Sequence, residues 1–119
     1  MRLVSARWDG ADLRLMHPDL EGSGHPSLHP DGRHVLTDEY AHGALAWEDG
    51  TTPLRLLDLE TGEETRIARM RTKPDYEGEL KVLRVDPHPA WAPDRRHVAF
   101  NACPDGTRDV FVADLGGLV

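Results

Sequence analysis

His25-Pro26-Ser27-Leu28-His29-Pro30-Asp31-Gly32-Arg33-His34-Val35-Leu36-Thr37-Asp38 is a stretch that the chain uses twice. The second copy is His88-Pro89-Ala90-Trp91-Ala92-Pro93-Asp94-Arg95-Arg96-His97-Val98-Ala99-Phe100-Asn101. Seven of the fourteen aligned positions are identical: His, Pro, Pro, Asp, Arg, His and Val. Chance gives roughly one match, so the stretch is an internal repeat. Each copy reads as a short extended run, a Pro-Asp turn and a second run rich in β-branched and apolar residues. That grammar is strand, tight turn, strand.

The repeat extends past its turn. Leu57-Asp58-Leu59 follows the first copy, and Ala113-Asp114-Leu115 follows the second. Between them, Glu60-Thr61-Gly62-Glu63 predicts a turn and Thr65-Arg66-Ile67-Ala68 a further strand. Residues 2–8 and 12–17 predict two strands joined at Asp9-Gly10, a hairpin signal. Residues 18–24 and 41–52 read as loops, and the polar residues 71–79 as a surface excursion. Residues 80–85 predict a strand leading into the second copy, and Asp109–Leu115 a strand after the turn at Pro104-Asp105-Gly106. No segment sustains a period of 3.6 with helix caps, so little helix is expected. Four-stranded antiparallel units of about 40–45 residues are propeller blades. The expected fold is all-β: two to three blades of a partial β-propeller. Residues 1–24 would end a preceding blade, 25–70 form one blade and 80–119 another.

Composition narrows the function. The chain has 119 residues, 39% hydrophobic and 29% charged, which is the range of one globular domain. A formal net charge of −7 argues against a nucleic-acid or anionic-membrane partner, because phosphate binding relies on surplus Lys and Arg. The single cysteine, Cys103, excludes an internal disulfide and a cysteine-based zinc site, and it reads as a half-buried structural thiol. Met1–Arg7 lacks the apolar run of a secretion signal, and no stretch approaches the ~20 apolar residues of a membrane helix. The expected location is cytoplasmic.

His25-Pro26-Ser27-Leu28-His29-Pro30-Asp31-Gly32-Arg33, followed by Leu57-Asp58-Leu59-Glu60-Thr61-Gly62-Glu63, resembles the blade repeat of TolB-type, WD40-like propellers. The run Gly24–Leu115 resembles more particularly the C-terminal blades of oligogalacturonate-lyase-like propellers. The signals are Gly24-His25-Pro26-Ser27, Leu36-Thr37-Asp38-Glu39-Tyr40, Tyr76-Glu77-Gly78-Glu79-Leu80 and Arg84-Val85-Asp86-Pro87-His88-Pro89-Ala90-Trp91. That resemblance implies β-elimination of short galacturonate chains, assisted by a manganese-type divalent ion in the central channel. It implies His25 and His88 as metal ligands. The family's characterised members carry a further histidine where this chain has Asp86, and a glutamine near the place of Leu83. The family's catalytic base belongs to an earlier blade, so the chain supplies no catalytic residue and is expected to be inactive alone.

Physical reasoning meets the resemblance at three side chains. His25 and His88 begin the innermost strands of their blades. Alternation puts His25 with Ser27, and Asp86 with His88, on one face of each strand. Two imidazoles and a carboxylate from adjacent blades suit Mn²⁺ or Fe²⁺ with open positions. If they share an ion, their rings must approach within about 3–5 Å. The alternative is that His-Pro is only a packing signature.

Arg84 and Tyr40 are the candidate substrate contacts, with an acidic oligosaccharide as the implied partner. Arg33 is a further candidate carboxylate clamp, whereas Arg95 and Arg96 read as solvated charge. Asp31 and Asp94 are expected to accept backbone hydrogen bonds in their turns. His34 and His97 read as packing or surface residues, Leu28 and Trp91 as core between blades, and Asp38 as a polar strand end. No nucleophile elbow, phosphate loop or zinc spacing is present. Propellers have about four to eight blades. The chain is therefore expected either to be a fragment lacking blades or to complete a ring by self-association. Two other readings remain open: a TolB-like binding or scaffolding module without chemistry, and the propeller lid of a serine peptidase.

Overall fold

The computed structural model describes residues 1–75 and 85–119. Among them there is no helix, and nine strands form three antiparallel sheets. β1 (Val4–Ser5) pairs with β2 (Arg14–Leu15), and a turn at Asp9-Gly10 joins them. β3 (Ser27–Leu28), β4 (His34–Thr37), β5 (Thr52–Asp58) and β6 (Glu64–Met70) form a four-stranded sheet in chain order. β7 (Ala90–Trp91), β8 (His97–Ala102) and β9 (Asp109–Asp114) form a three-stranded sheet. The first hairpin is shorter than its sequence suggests, two paired residues on each side.

The repeat is built on its turns. In both copies the Asp after Pro folds its carboxylate over the following backbone. Asp31 Oδ1 accepts the Arg33 and His34 N–H groups at 2.8 and 3.0 Å, and Asp94 Oδ1 accepts those of Arg96 and His97 at 3.0 Å each. His34 and His97 are not bland packing residues. Each turns Nδ1 onto the other oxygen of its own turn Asp, at 2.7 and 2.6 Å. Backbone donors and the His97 ring depress the Asp94 carboxyl to about 2. At Asp31 partial burial works against ionisation, yet the His34 ring and the turn amides outweigh it and hold the carboxyl well below its ordinary value. The arginine after each turn closes the unit. Arg33 binds Asp58 and Glu60, and Arg96 binds Asp114, so Arg96 is an ion-pair partner rather than simple solvated charge.

β5 is buried along almost its whole length because it has a neighbour on each face. Leu54 and Leu56 join Leu36, Met70, Val98, Ala102 and Leu115 in the core between the two larger sheets. Val35 and Leu57 point the other way and pack with Leu3 and Leu20 from the N-terminal segment. Arg55 shares that second face and is fully buried. It donates to the Glu21 carbonyl at 2.9 Å, to Ser23 Oγ at 2.7 Å and to Glu64 at 2.6 Å. Pro53 is tolerated because β4 pairs with β5 only over Arg55–Asp58, which leaves Pro53 without a ladder partner on that side.

Two core expectations change. Trp91 packs between the sheets and donates Nε1–H to the Ser27 carbonyl at 3.2 Å, but Leu28 is exposed. β3 is only two residues long, and Leu28 points away from both cores. The expected surface excursion is partly internal. The Arg71 carbonyl accepts the Cys103 N–H at 2.9 Å, Thr72 is buried, and its carbonyl accepts the Val85 N–H at 3.0 Å. Cys103 lies fully buried beneath this strap, and burial pushes its thiol up. Of the strand expected at 80–85, only Val85 lies within the described residues.

Candidate metal centre

The centre forms where the innermost strands of the two larger sheets begin side by side. The histidines do not begin these strands as expected: His25 lies in the segment just before β3, and Asp86 and His88 lie in the segment just before β7, where His88 is left-handed rather than extended. Ser27 Oγ accepts the Trp91 N–H at 3.4 Å, which fixes the register between the sheets. One ligand atom from each of His25, Asp86 and His88 falls within 4.8 Å of the others. The His25 and His88 rings stack with centroids 3.5 Å apart and 20° between their planes. Tyr40 presents its ring edge-on to His25, at 5.4 Å between centroids. Arg84 and Leu83 lie outside the described residues.

Asp38 organises this arrangement, and the sequence reading undervalued it. The side chain is 1% exposed. Its carboxylate accepts the His25 backbone N–H at 2.5 Å and the His88 backbone N–H at 3.0 Å, one on each oxygen. The same group lies 3.0 and 3.2 Å from His25 Nδ1. A carboxylate only accepts, so His25 carries its proton on Nδ1 and keeps the lone pair on Nε2. This is the outer-shell arrangement that orients a metal-ligating histidine.

Space for Asp38 is made by Gly24. A Cβ there would overlap the Asp38 carboxylate and carbonyl, and Gly24 has φ +53°. In the second copy the left-handed residue is His88 itself, with φ +44°. A non-glycine residue pays for that conformation, and such strain collects at functional sites. The hydrogen bond from the His88 N–H to Asp38 is the contact that holds it.

The donor set fits a divalent ion, since imidazole nitrogen and carboxylate oxygen suit Mn²⁺, Fe²⁺ and Zn²⁺ alike. The ring stacking is the obstacle. In-plane lone pairs of two parallel rings cannot converge on one point, so sharing an ion requires one ring to turn. His88 is exposed and has that freedom, whereas His25 is held by Asp38.

A second group, His29, Asp31 and His34, is also close enough to hold an ion. Two of its members repeat as Asp94 and His97, which marks them as parts of the turn. The third, His29, is buried. It contacts the Arg95 carbonyl through Nε2 at 3.0 Å and packs edge-on against Trp91. It staples the two sheets together. No sequence signal announced this role, since its partner lies 66 residues away.

No family model and no curated protein matches the sequence. Solved structures do match in fold. TolB from Acinetobacter baumannii superposes with a TM-score of 0.62 at 20% identity, covering 98% of this chain and 24% of that one. An oligogalacturonate lyase in complex with manganese superposes with a TM-score of 0.64 at 21% identity, covering 94% of this chain and 28% of the lyase. The chain is a partial β-propeller. It spans about a quarter of the length of each of these propellers. The sheet β3–β6 is a complete four-stranded blade, and β7–β9 are three strands of the next. Among the described residues, no helix is long and apolar enough to cross a membrane.

Proposed function

We propose that this chain is the metal-holding segment of a lyase-type propeller, with a manganese-like divalent ion bound by His25, Asp86 and His88. The observation that supports the reading is the proximity of these three donors from two adjacent blades, with His25 fixed in its Nε2-ligating tautomer by Asp38. The fold likeness to a manganese complex of oligogalacturonate lyase points the same way.

A bound ion would polarise a substrate carboxylate and so acidify the neighbouring C–H. The chain's own residues perform the supporting tasks. Asp38 sets the His25 tautomer and ties both histidine backbones to one point. Asp86 lowers the charge of the loaded centre. Tyr40 walls the site beside His25, where a ring of an acidic oligosaccharide would rest. The proton-abstracting group belongs to another blade, so the isolated chain binds the ion and does not turn over substrate.

The test is thermal melting of the chain during Mn²⁺ titration. The wild type gains stability by mass action. His25→Ala loses that gain, while His34→Ala, outside the centre, keeps it. An unchanged melting temperature for the wild type at saturating Mn²⁺ rejects the proposal.

A second reading is a TolB-like binding module without chemistry. The stacked histidine pair favours it, because stacked rings satisfy each other without an ion. It predicts no response to Mn²⁺ in the same titration.

A further inference from the structure

The turn of the first copy carries a third donor that the second turn lacks. Both turns pair an Asp carboxylate with the histidine three residues on, Asp31 with His34 and Asp94 with His97. Only the first adds a histidine two residues before the Asp, where the second copy has Ala92. The turn does not need that histidine. The His29 N–H donates to the His34 carbonyl at 2.8 Å, and the Ala92 N–H makes the same bond to the His97 carbonyl, also at 2.8 Å.

The His29 ring is arranged as a ligand. Its Nε2 lies 3.0 Å from the Arg95 carbonyl, which can only accept, so the proton sits on Nε2 and Nδ1 keeps its lone pair. The Asp31 N–H, 3.2 Å from Nδ1, agrees with that tautomer. A ring N–H given to a backbone carbonyl is a common way of orienting a metal-ligating histidine. Asp31 Oδ2 lies 2.9 Å from His29 Nδ1 and 2.7 Å from His34 Nδ1. Burial opposes ionisation of Asp31, but the His34 ring and the turn amides outweigh it, so this oxygen is anionic at neutral pH. An anionic oxygen beside an imidazole lone pair repels it, and a cation between them turns the repulsion into attraction. The His29 and His34 rings cross at 76°, so their Nδ1 atoms can face one point, which the parallel rings of His25 and His88 cannot do without turning.

We propose that His29 Nδ1, Asp31 Oδ2 and His34 Nδ1 bind Zn²⁺, with water in the fourth position, at a site separate from His25, Asp86 and His88. Two nitrogens, one carboxylate oxygen and a water make a tetrahedral zinc set. The N···O spacings widen to about 3.3 Å around an ion with bonds near ~2.1 Å. Asp31 Oδ1 keeps the Arg33 and His34 amides, so the turn persists in the loaded site. The ion takes the place of the proton on His34 Nδ1, which passes to solvent. Zn²⁺ makes that exchange, whereas Mn²⁺, at the weak end of the divalent series, does not. Asp31 is exposed, so the ion enters without opening the fold. Because His29 also holds Arg95 of the next blade, the loaded site strengthens the joint between the two sheets.

Zn²⁺ titration of the His25→Ala chain, whose first centre lacks a ligand, tests this by calorimetry and by NMR of the histidine rings. One Zn²⁺ binds, and the His29 and His34 resonances move while those of His97 stay in place. In the same background Asp31→Asn and His34→Ala each weaken binding at least about 100-fold. His97→Ala, the same place in the other turn, leaves it unchanged. The ring resonances are read with the turn intact, so they decide the matter even where a turn variant unfolds. A His25→Ala chain that binds no Zn²⁺ overturns the proposal and leaves a proton between His29 and Asp31. Zn²⁺ binding that survives His34→Ala, or that shifts His97 as much as His34, overturns it as well. The Mn²⁺ titration of the wild type is a separate measurement, so either site can fail without the other.

Discussion

The two copies of the repeat agree at their turns and part at their strand ends. Both turns place an Asp carboxylate over two backbone amides and a histidine ring. Seven residues after that Asp in each blade, the strand that follows the turn ends differently. In the first copy Asp38 accepts hydrogen bonds from the backbones of His25 and His88. In the second, the equivalent Asn101 donates to the carbonyls of Asp86 and Pro87, at 3.2 and 3.4 Å. One blade grips the start of its inner strand by N–H groups, the other by C=O groups. Only the acceptor version also fixes a histidine tautomer. The turn is scaffold, and the strand end is where the copies diverge toward a site.

Substitutions that make the copies alike test this difference. Asp38→Asn, which converts the first copy to the second, should have the largest effect. It puts an amide NH₂ against two N–H donors in a buried place, and a loss of about 3 kcal/mol is expected in urea denaturation. It should also weaken Mn²⁺ binding about 10–100-fold by releasing the His25 ring. Gly24→Ala comes next. It drives a methyl into the Asp38 carboxylate at a left-handed backbone position, and about 2 kcal/mol should be lost. An equal stability for Gly24→Ala and wild type would mean that Asp38 is not held where the structure puts it.

Protonation attacks the feature that the copies share. Arg33 and the Glu60 and Thr61 amides hold Asp58 well below its ordinary value, and Arg96 and the Gly116 amide do the same for Asp114. Arg55 likewise lowers Glu64. These carboxyls are depressed in the folded chain, so their stabilisation is complete above the unfolded values, near pH 4. It is lost as pH falls through the folded values, which for Asp94 means down to about 2. Denaturation midpoints should be flat from pH 7 to about 5 and fall steeply below about 4.

The smallest effect concerns the turns themselves. Gly32 and Arg95 occupy the same left-handed position, with φ +75° and +63°. Arg95→Gly should stabilise the chain by about 0.5–1 kcal/mol, measured by thermal melting. A destabilised variant would mean that the Arg95 side chain makes a contact worth more than its backbone strain.

These contrasts also mark what the sequence could reveal. The blades were legible because Pro-Asp turn chemistry is local and occurs twice. The pairing of His25 with His88 was legible for the same reason, since equivalent strand starts in adjacent blades are neighbours. Asp38 was not, because an aspartate at a strand end looks solvated until a residue 50 positions away is brought onto it. His29 had no counterpart in the second copy, where Ala92 stands, so the repeat gave it no weight. Leu28 was misread because apolar character in a two-residue inner strand does not specify which face is covered. Asp86 drew attention through alternation with His88 and through the resemblance, which places a further histidine there, and its proximity to His25 depends on the packing of two blades.

Paramagnetic broadening by Mn²⁺ of the histidine ring resonances tests the proposed centre most directly. At substoichiometric Mn²⁺, the His25 and His88 signals should broaden first, while those of His34 and His97, at the turns, remain sharp. Before the metal is added, His25 should show the Nδ1–H tautomer. Broadening that begins at His29 and His34, or that affects all seven histidines alike, would contradict a centre at His25, Asp86 and His88.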